Sequence, residues 1–294
     1  MTPVIGITVG DPAGIGPEVA AKALASGRFD GRAELRILGV PPRPIPMGQA
    51  SAECGRMAVE TVRSAVEDCL AGRLHAIVTG PINKYAVQMS GLDFSGHTEF
   101  IARLCNTRDV RMLLASDRLR VIHVSTHVAL AEACRRATVE RIFRTIEIAA
   151  LGLKLFGAPN GRIAVAGLNP HSGESGLFGL EDRDQIVPAV QRAHAGGLYV
   201  LGPISPDTVF YRAARGEFDM VVAMYHDQGH IPSKLIAFHE TVNVTLGLPI
   251  IRTSVDHGTA FDIAGQNRAN PANMIHAIEL ALRLVENKAA PMHE

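Results

Sequence analysis

Val4-Ile5-Gly6-Ile7-Thr8-Val9-Gly10-Asp11-Pro12-Ala13-Gly14-Ile15-Gly16-Pro17-Glu18 passes from an apolar, β-branched run through a glycine-rich turn into the start of a helix. Glycines at such a turn let backbone approach a ligand, and a helix N-terminus attracts anions. The glycine spacing is not GxGxxG, so it is not the Rossmann dinucleotide fingerprint. A tight structural turn with Pro17 at the first helical position explains the same residues equally well.

The strand-then-helix alternation continues down the chain. Ala76–Thr79, Met112–Ala115, Val121–Ser125, Ile163–Ala166, Leu198–Leu201, Met220–Met224 and Val242–Thr245 read as strands. Their near-continuous apolar character suits strands covered on both faces. Pro17–Ala25, Ala58–Leu70, Val139–Leu153, Asp184–Ala193 and Ala272–Val285 show helical spacing. The expectation is an α/β fold with a largely parallel sheet. The run Pro41-Pro42-Arg43-Pro44-Ile45-Pro46 interrupts this pattern just after a strand-like Leu35–Val40.

The 294 residues carry 29 basic and 29 acidic side chains, which argues against broad electrostatic binding of nucleic acid or an anionic membrane. No apolar run reaches the roughly 18–20 residues that span a bilayer. The opening MTPVIGITVG has no basic leader followed by an apolar segment, so a cytoplasmic protein is expected. Cys54, Cys69, Cys105 and Cys134 are scattered without CxxC pairing and are expected to be free thiols.

His127, His171 and His226 each follow a strand reading. Ligands of parallel α/β sheets gather beyond the carboxyl ends of the strands, so these imidazoles can converge despite their separation in sequence. Three imidazoles with an open position suit a catalytic divalent ion such as Zn²⁺, Co²⁺ or Mn²⁺. Taken singly, each such His is more often a hydrogen-bonded structural residue than a ligand; the shared strand-end position is what favours the ligand reading. Ser95-Gly96-His97-Thr98 suits either a phosphate seat or a helix cap. Arg252 is suited to clamping an anion, and Lys234 to charge pairing or proton transfer.

The segments GDPAGIGPE, GPINK, FSGHTEF, GLNPHSGE, PDTVF, AMYHDQG, NVTLGLPIIRTSVDHGTAFDIAG and ANP run in order from residue 10 to residue 271. Together they resemble the 4-hydroxythreonine-4-phosphate dehydrogenase family of pyridoxine biosynthesis. The HGTAFDIAG and ANP pieces also resemble the NAD loop of isocitrate and isopropylmalate dehydrogenases. The resemblance implies their non-Rossmann α/β fold, with two α/β/α subdomains flanking a central cleft. Those subdomains would be residues 1–125 with 245–294, and 126–244, interleaved as one catalytic unit. It also implies a homodimer with the active site at the subunit interface.

By the same resemblance, His127, His171 and His226 are the metal ligands, one of them able to come from a partner subunit; the ion is Zn, Co, Mn or Mg. His97, Thr98, Lys234, Asn243 and Arg252 contact a phosphorylated substrate. Lys234, Asp207 and Asp227 stand close to the chemistry. Leu246, Gly247, Asp256, His257, Gly258, Thr259, Ala260, Asp262 and Asn270 hold NAD, with NADP not distinguished. The implied reaction is oxidation of a 4-phosphorylated 3-hydroxy acid of the 4-phosphohydroxy-L-threonine type, followed by decarboxylation.

Two departures from the family stand out. Compared with the family, a few dozen residues that would form a strand and a helix are not found between Gly39 and Pro44; a true shortening would uncover apolar surface, which argues against one. Second, His226-Asp227-Gln228-Gly229 continues as His230-Ile231-Pro232-Ser233-Lys234, which looks like the catabolic branch. Members of that branch oxidise 4-phospho-D-threonate or 4-phospho-D-erythronate to dihydroxyacetone phosphate.

Overall fold

The computed structural model describes residues 2–290. In chain order the first elements are β1 (Val4–Thr8), α1 (Gly16–Ala25), β2 (Glu34–Leu38), α2 (Ala52–Leu70), β3 (Ala76–Thr79), α3 (Lys84–Met89) and α4 (His97–Leu104). They are followed by β4 (Arg111–Ala115), β5 (Arg120–His123), α5 (Leu130–Arg136), α6 (Val139–Leu155), β6 (Ile163–Ala166), α7 (Val187–Ala195), β7 (Val200–Ile204) and α8 (Pro206–Ala214). The last are β8 (Met220–Ala223), α9 (His226–Ala237), β9 (Val242–Leu246), β10 (Ile251–Ser254) and α10 (Ala272–Ala289). The chain divides into two units, Met1–Val110 with Leu248–Glu294, and Arg111–Gly247.

In the first unit the strand order is β2-β1-β3-β10, all parallel. Strand β10 follows LGLP, and the sequence reading folded it into a single polar loop region; its four residues are nonetheless fully buried. Helix α2 starts where the Ser51 hydroxyl accepts from Cys54 N–H at 3.1 Å, the usual role of an N-cap serine. Its Val59, Val62 and Val66 recur at helical spacing and pack with Leu74, Ile77, Phe100 and Ile101 into one core. The proline run lies between Leu38 and Ser51, where the chain has no regular helix or strand. Beside it, β2 is the edge strand and only partly buried.

In the second unit the order is β9-β4-β5-β8-β6-β7. Strand β4 is antiparallel to both β9 and β5, while β5, β8, β6 and β7 are mutually parallel. Val121, Ala164, Val221 and Ala223 from the parallel strands meet Val209, Phe210 and Ala213 of α8. Alternation of parallel strands with covering helices explains why these strands lack a polar face. All four cysteines are free thiols. Among the described residues no helix is long and apolar enough to cross a membrane.

Gly55 fixes how α2 meets α3. A Cβ there would stand 2.1 Å from the Ala86 carbonyl oxygen, which is backbone and cannot rotate away. Gly55→Ala is therefore expected to destabilise the protein by about 1–3 kcal/mol through overpacking. This outweighs the gain of up to about 1 kcal/mol in helix propensity. A lowered urea midpoint, followed by circular dichroism, checks it; an unchanged or raised midpoint would show that the contact relaxes freely.

Candidate active site

Three parallel neighbours of the second unit, β5, β8 and β6, carry a histidine just beyond their carboxyl ends: His127, His226 and His171. The structure brings two of these together. The His127 and His226 rings lie 5.4 Å apart at the wall of a pocket of about 480 Å³, also lined by Leu130, Tyr225 and Asp227. Asp227 Oδ1 is 2.7 Å from His226 Nδ1, so that nitrogen carries the proton and Nε2 is left as an acceptor. His171 is not part of this pair. It lies on Pro170–Gly176, where residues 171–175 all have positive φ, and its ring neighbour is Phe178 at 6.4 Å. Among the described residues no group of three or more His, Cys, Asp or Glu stands close enough to hold a metal.

Asp207 stands near His171. The Ser205 hydroxyl donates to its carboxylate and holds it below the usual range, and the neighbouring His171 acts in the same direction. Lys234 lies two turns after His226 on α9 with its amine 5.7 Å from the Phe238 ring centre. Asn243 is on β9, and its Oδ1 is sealed from solvent without a hydrogen bond. Ser125 and Ser172 Oγ, beside His127 and His171, are likewise buried and unpaired. Orphaned buried polar atoms are uncommon, and here they collect at strand ends.

Two residues that the sequence reading passed over set these loops. Gln228 is buried: its Oε1 accepts from Met224 N–H and its Nε2 donates to the Gly167 carbonyl, both at 2.7 Å. This ties the end of β8 to the end of β6. Asp182, 1% exposed, accepts from Leu168 and Asn169 N–H at 2.9 and 3.0 Å and fixes the approach to His171. Nothing in a local pattern marks either one.

The first unit holds a cationic seat. Arg252 on β10 is 3% exposed and donates to Thr79 Oγ1 through Nε at 3.1 Å and Nη2 at 2.7 Å. Burial lowers its pKa to about 10, with Glu99 acting in the opposite direction. His97 opens α4 with Thr98 next to it, and its Nε2 is enclosed without a partner. Burial, then the charges of Arg252 and Lys84, push His97 well below 6.5, so its imidazole is neutral. A charged guanidinium buried among neutral donors suits an incoming anion.

Also in the first unit, the loop after β10 folds against the turn after β1. Ile15 N–H donates to the Thr259 carbonyl at 3.0 Å. Glu18 Oε1 accepts from Ala269 N–H at 2.6 Å, and Lys22 reaches the carbonyls of Asn267 and Ala269. Asn273 holds Asp256 N–H, and Asn270 accepts from Ala272 N–H at the start of α10. Asp256, His257, Gly258, Thr259, Ala260, Asp262 and Asn270 thus share one pinned loop, with Ala260 at φ 41°. His257 Nε2 and Asp11 Oδ2 are buried and unpaired there, and burial raises the Asp11 carboxyl pKa. Leu246 and Gly247 belong instead to the end of the second unit.

Residues 14–281 match the family described as pyridoxal phosphate biosynthetic protein PdxA. The chain belongs to the PdxA family. It is 43% identical to the D-threonate 4-phosphate dehydrogenase of Pectobacterium atrosepticum, covering 97% of this chain and 100% of that one. It is 42% identical to the 4-hydroxythreonine-4-phosphate dehydrogenase of Desulforapulum autotrophicum, covering 95% and 94%. The crystal structure of 4-hydroxythreonine-4-phosphate dehydrogenase from Klebsiella pneumoniae superposes with a TM-score of 0.88 at 40% identity, covering 97% and 100%. Isocitrate dehydrogenase from Methylococcus capsulatus shares the fold, with a TM-score of 0.55 at 15% identity and 96% and 85% coverage. The PdxA-family chain therefore has the isocitrate dehydrogenase-like α/β fold expected of it, and its family relatives are oxidoreductases.

The PdxA-family fold also buries His123 at the end of β5, at 1% exposure. Burial, then the neighbouring His230, lowers its pKa from 6.5 to about 3. The unfolded chain therefore takes up this proton first as the solution is acidified. The stability present above pH 6.5 drains away as pH falls from there towards 3. Calorimetry with chelator present is expected to show Tm falling across the upper part of that window, and falling less steeply in His123→Phe. Parallel pH profiles for the two proteins would contradict this account.

Proposed function

We propose that this protein is an NAD-dependent, metal-assisted dehydrogenase of 4-phospho-D-threonate. The hydroxyl at carbon 3 is oxidised, and the resulting 3-keto acid loses carbon dioxide to give dihydroxyacetone phosphate. The reading is carried by the 43% identity along nearly the whole chain to a D-threonate 4-phosphate dehydrogenase. The second reading is the 4-hydroxythreonine 4-phosphate reaction, favoured by the 42% identity to the Desulforapulum autotrophicum enzyme. The two acids differ only by hydroxyl against amine at carbon 2.

Arg252, with His97 and Thr98, is assigned to the substrate phosphate. A planar guanidinium meets phosphate oxygens through paired N–H donors, and neutral His97 adds a donor without charge repulsion. Asn243 and Lys234 are assigned to the substrate as well, Lys234 as the group that takes the hydroxyl proton. Asp207 and Asp227 orient His171 and His226 rather than react. The loop of Asp256 to Asp262, with Asn270, Leu246 and Gly247, is assigned to NAD. Imidazole donors from His127, His226 and His171 are assigned to a divalent ion, the second nitrogen of His226 being held by the Asp227 carboxylate. When bound, such an ion supplies Lewis-acid chemistry at the substrate oxygen, and NAD accepts the hydride.

A homodimer is part of the proposal. Ile231 and Leu235 of α9, with Phe238 at its C-terminal cap, are 58%, 81% and 65% exposed. A second copy that covers these side chains is also a source for a histidine that a single chain does not bring to the pair. Leu235→Glu is expected to convert a dimer into a monomer in light scattering; a dimer that survives the charge would place the interface elsewhere.

The reaction itself is tested with purified protein, NAD, a divalent ion and each of 4-phospho-D-threonate, 4-phospho-D-erythronate and 4-phosphohydroxy-L-threonine. NADH is expected to form fastest with the first acid and to stop with chelator or in His226→Ala. Arg252→Ala is expected to raise KM about tenfold or more. A flat trace with all three acids would sink the proposal.

A further inference from the structure

We infer that His230 is a positioning residue that fixes the plane of the His226 imidazole; the inference rests on the reading of His226 as a metal ligand. The two residues are one helical turn apart on α9 and lie on the same face. Their rings stack with centroids 3.5 Å apart and planes only 12° from parallel. No other ring lies so close to His226 among the described residues, His127 being 5.4 Å away and tilted.

His226 needs such support. Its side-chain hydrogen bond goes to Asp227, whose own side chain is 70% exposed. Exposed pairs of this kind contribute little and hold geometry loosely. The hydrogen bond selects which nitrogen carries the proton, whereas the stack restrains the tilt of the ring. A ligand imidazole must have both set, because its lone pair lies in the ring plane and has to meet the ion in that plane.

His230 is itself enclosed and hydrogen-bonded. It is 8% exposed, and its Nδ1–H donates to the His226 carbonyl at 2.9 Å. Behind it lies the ring of His123, 4.9 Å away and 1% exposed. Gly229 lets α9 close onto that ring: a Cβ at this position would be 2.3 Å from His123 Nε2. The order of support runs from buried His123 to His230 and from His230 to His226. Nor can His230 share an ion with His226. Lone pairs in two nearly parallel planes 3.5 Å apart do not converge on one point. His230 is thus a backing plate for the ligand and not a further ligand.

The test measures Co²⁺ binding to the chelator-stripped full-length protein by calorimetry and by the visible spectrum of the bound ion. The proteins are wild type, His226→Ala, His230→Gln and His230→Phe. His226→Ala is expected to abolish binding. His230→Gln, which keeps a polar group but no ring, is expected to weaken binding about tenfold or more and to shift the visible bands. His230→Phe keeps a flat ring to stack on and is expected to restore affinity and spectrum to near wild type.

Wild-type affinity and spectrum in His230→Gln, with binding lost in His226→Ala, would overturn the inference while leaving the metal reading intact. Failure of wild type to bind Co²⁺, or binding unaffected by His226→Ala, would overturn the metal reading and this inference with it. Should His230→Gln not fold, His230→Phe decides: affinity tenfold weaker than wild type refutes the stacking role, and unchanged affinity upholds it.

Discussion

Parallel pairing is the constraint on which the rest of this structure depends. Strands that run the same way end at the same edge, so every loop that follows them must be accommodated there. In the second unit β5, β8 and β6 are neighbours in that order, and their ends carry His127, His226 and His171. In the first unit β1, β3 and β10 likewise deliver Asp11, the Thr79–Lys84 turn and the Asp256–Asp262 loop to one edge. The polar groups are concentrated by topology, not by nearness in sequence. Gln228 then locks two of these edges together, because one buried side chain satisfies an N–H after β8 and a carbonyl after β6.

Concentrating polar groups at strand ends has an energetic cost that the hydrogen bonds only partly offset. Thr79 satisfies two donors of buried Arg252, yet the guanidinium remains depressed to about 10 by loss of water. His97, Asn243, Ser125, Ser172 and His257 each keep a buried atom with no partner. An unmade hydrogen bond at such an atom costs on the order of 1–3 kcal/mol. A fold selected only for stability would replace several of these groups with apolar ones. A bound ligand carrying both donors and acceptors would satisfy such groups: the Ser125 and Ser172 hydroxyls can donate to its oxygens, and Asn243 Oδ1 can accept from its N–H or O–H.

The histidines and the parallel strands were legible because each has a local signature: an apolar run, then a polar residue at its end. Strand β10 was less so. Its Arg252, Thr253 and Ser254 look like loop residues, and only burial by β3 and α10 makes them a strand. Helix α9 was hidden for a related reason. Gly229 and Pro232 are poor helix formers, yet the helix runs through both, with Gly229 packed closely against His123. The positioning residues were the least legible. Asp182 and Gln228 act through partners 13–14 and 61 residues away, and no periodicity records such a distance. His230 was visible as a letter in HDQGH, but its stack on His226 follows only once α9 is known to be helical.

The segment around His171 shows the same logic at the level of the backbone. Residues 171 to 175 all take positive φ, and four of the five are not glycine. A left-handed non-glycine residue costs on the order of 1–3 kcal/mol, so the turn cannot be stable by itself. It persists because Asp182 anchors the two N–H groups ahead of it and the Phe178 N–H closes on the Gly173 carbonyl behind it. An ordinary αβ connection would reach the next element without that strain. What the strained path accomplishes is to present His171 beside Asp207 and to leave Ser172 Oγ buried and unpaired. Backbone strain held by buried hydrogen bonds, next to unsatisfied polar atoms, is expected where placing a side chain matters more than the stability lost. That turn accordingly sets His171 beside Asp207, with its ring apart from the His127 and His226 pair.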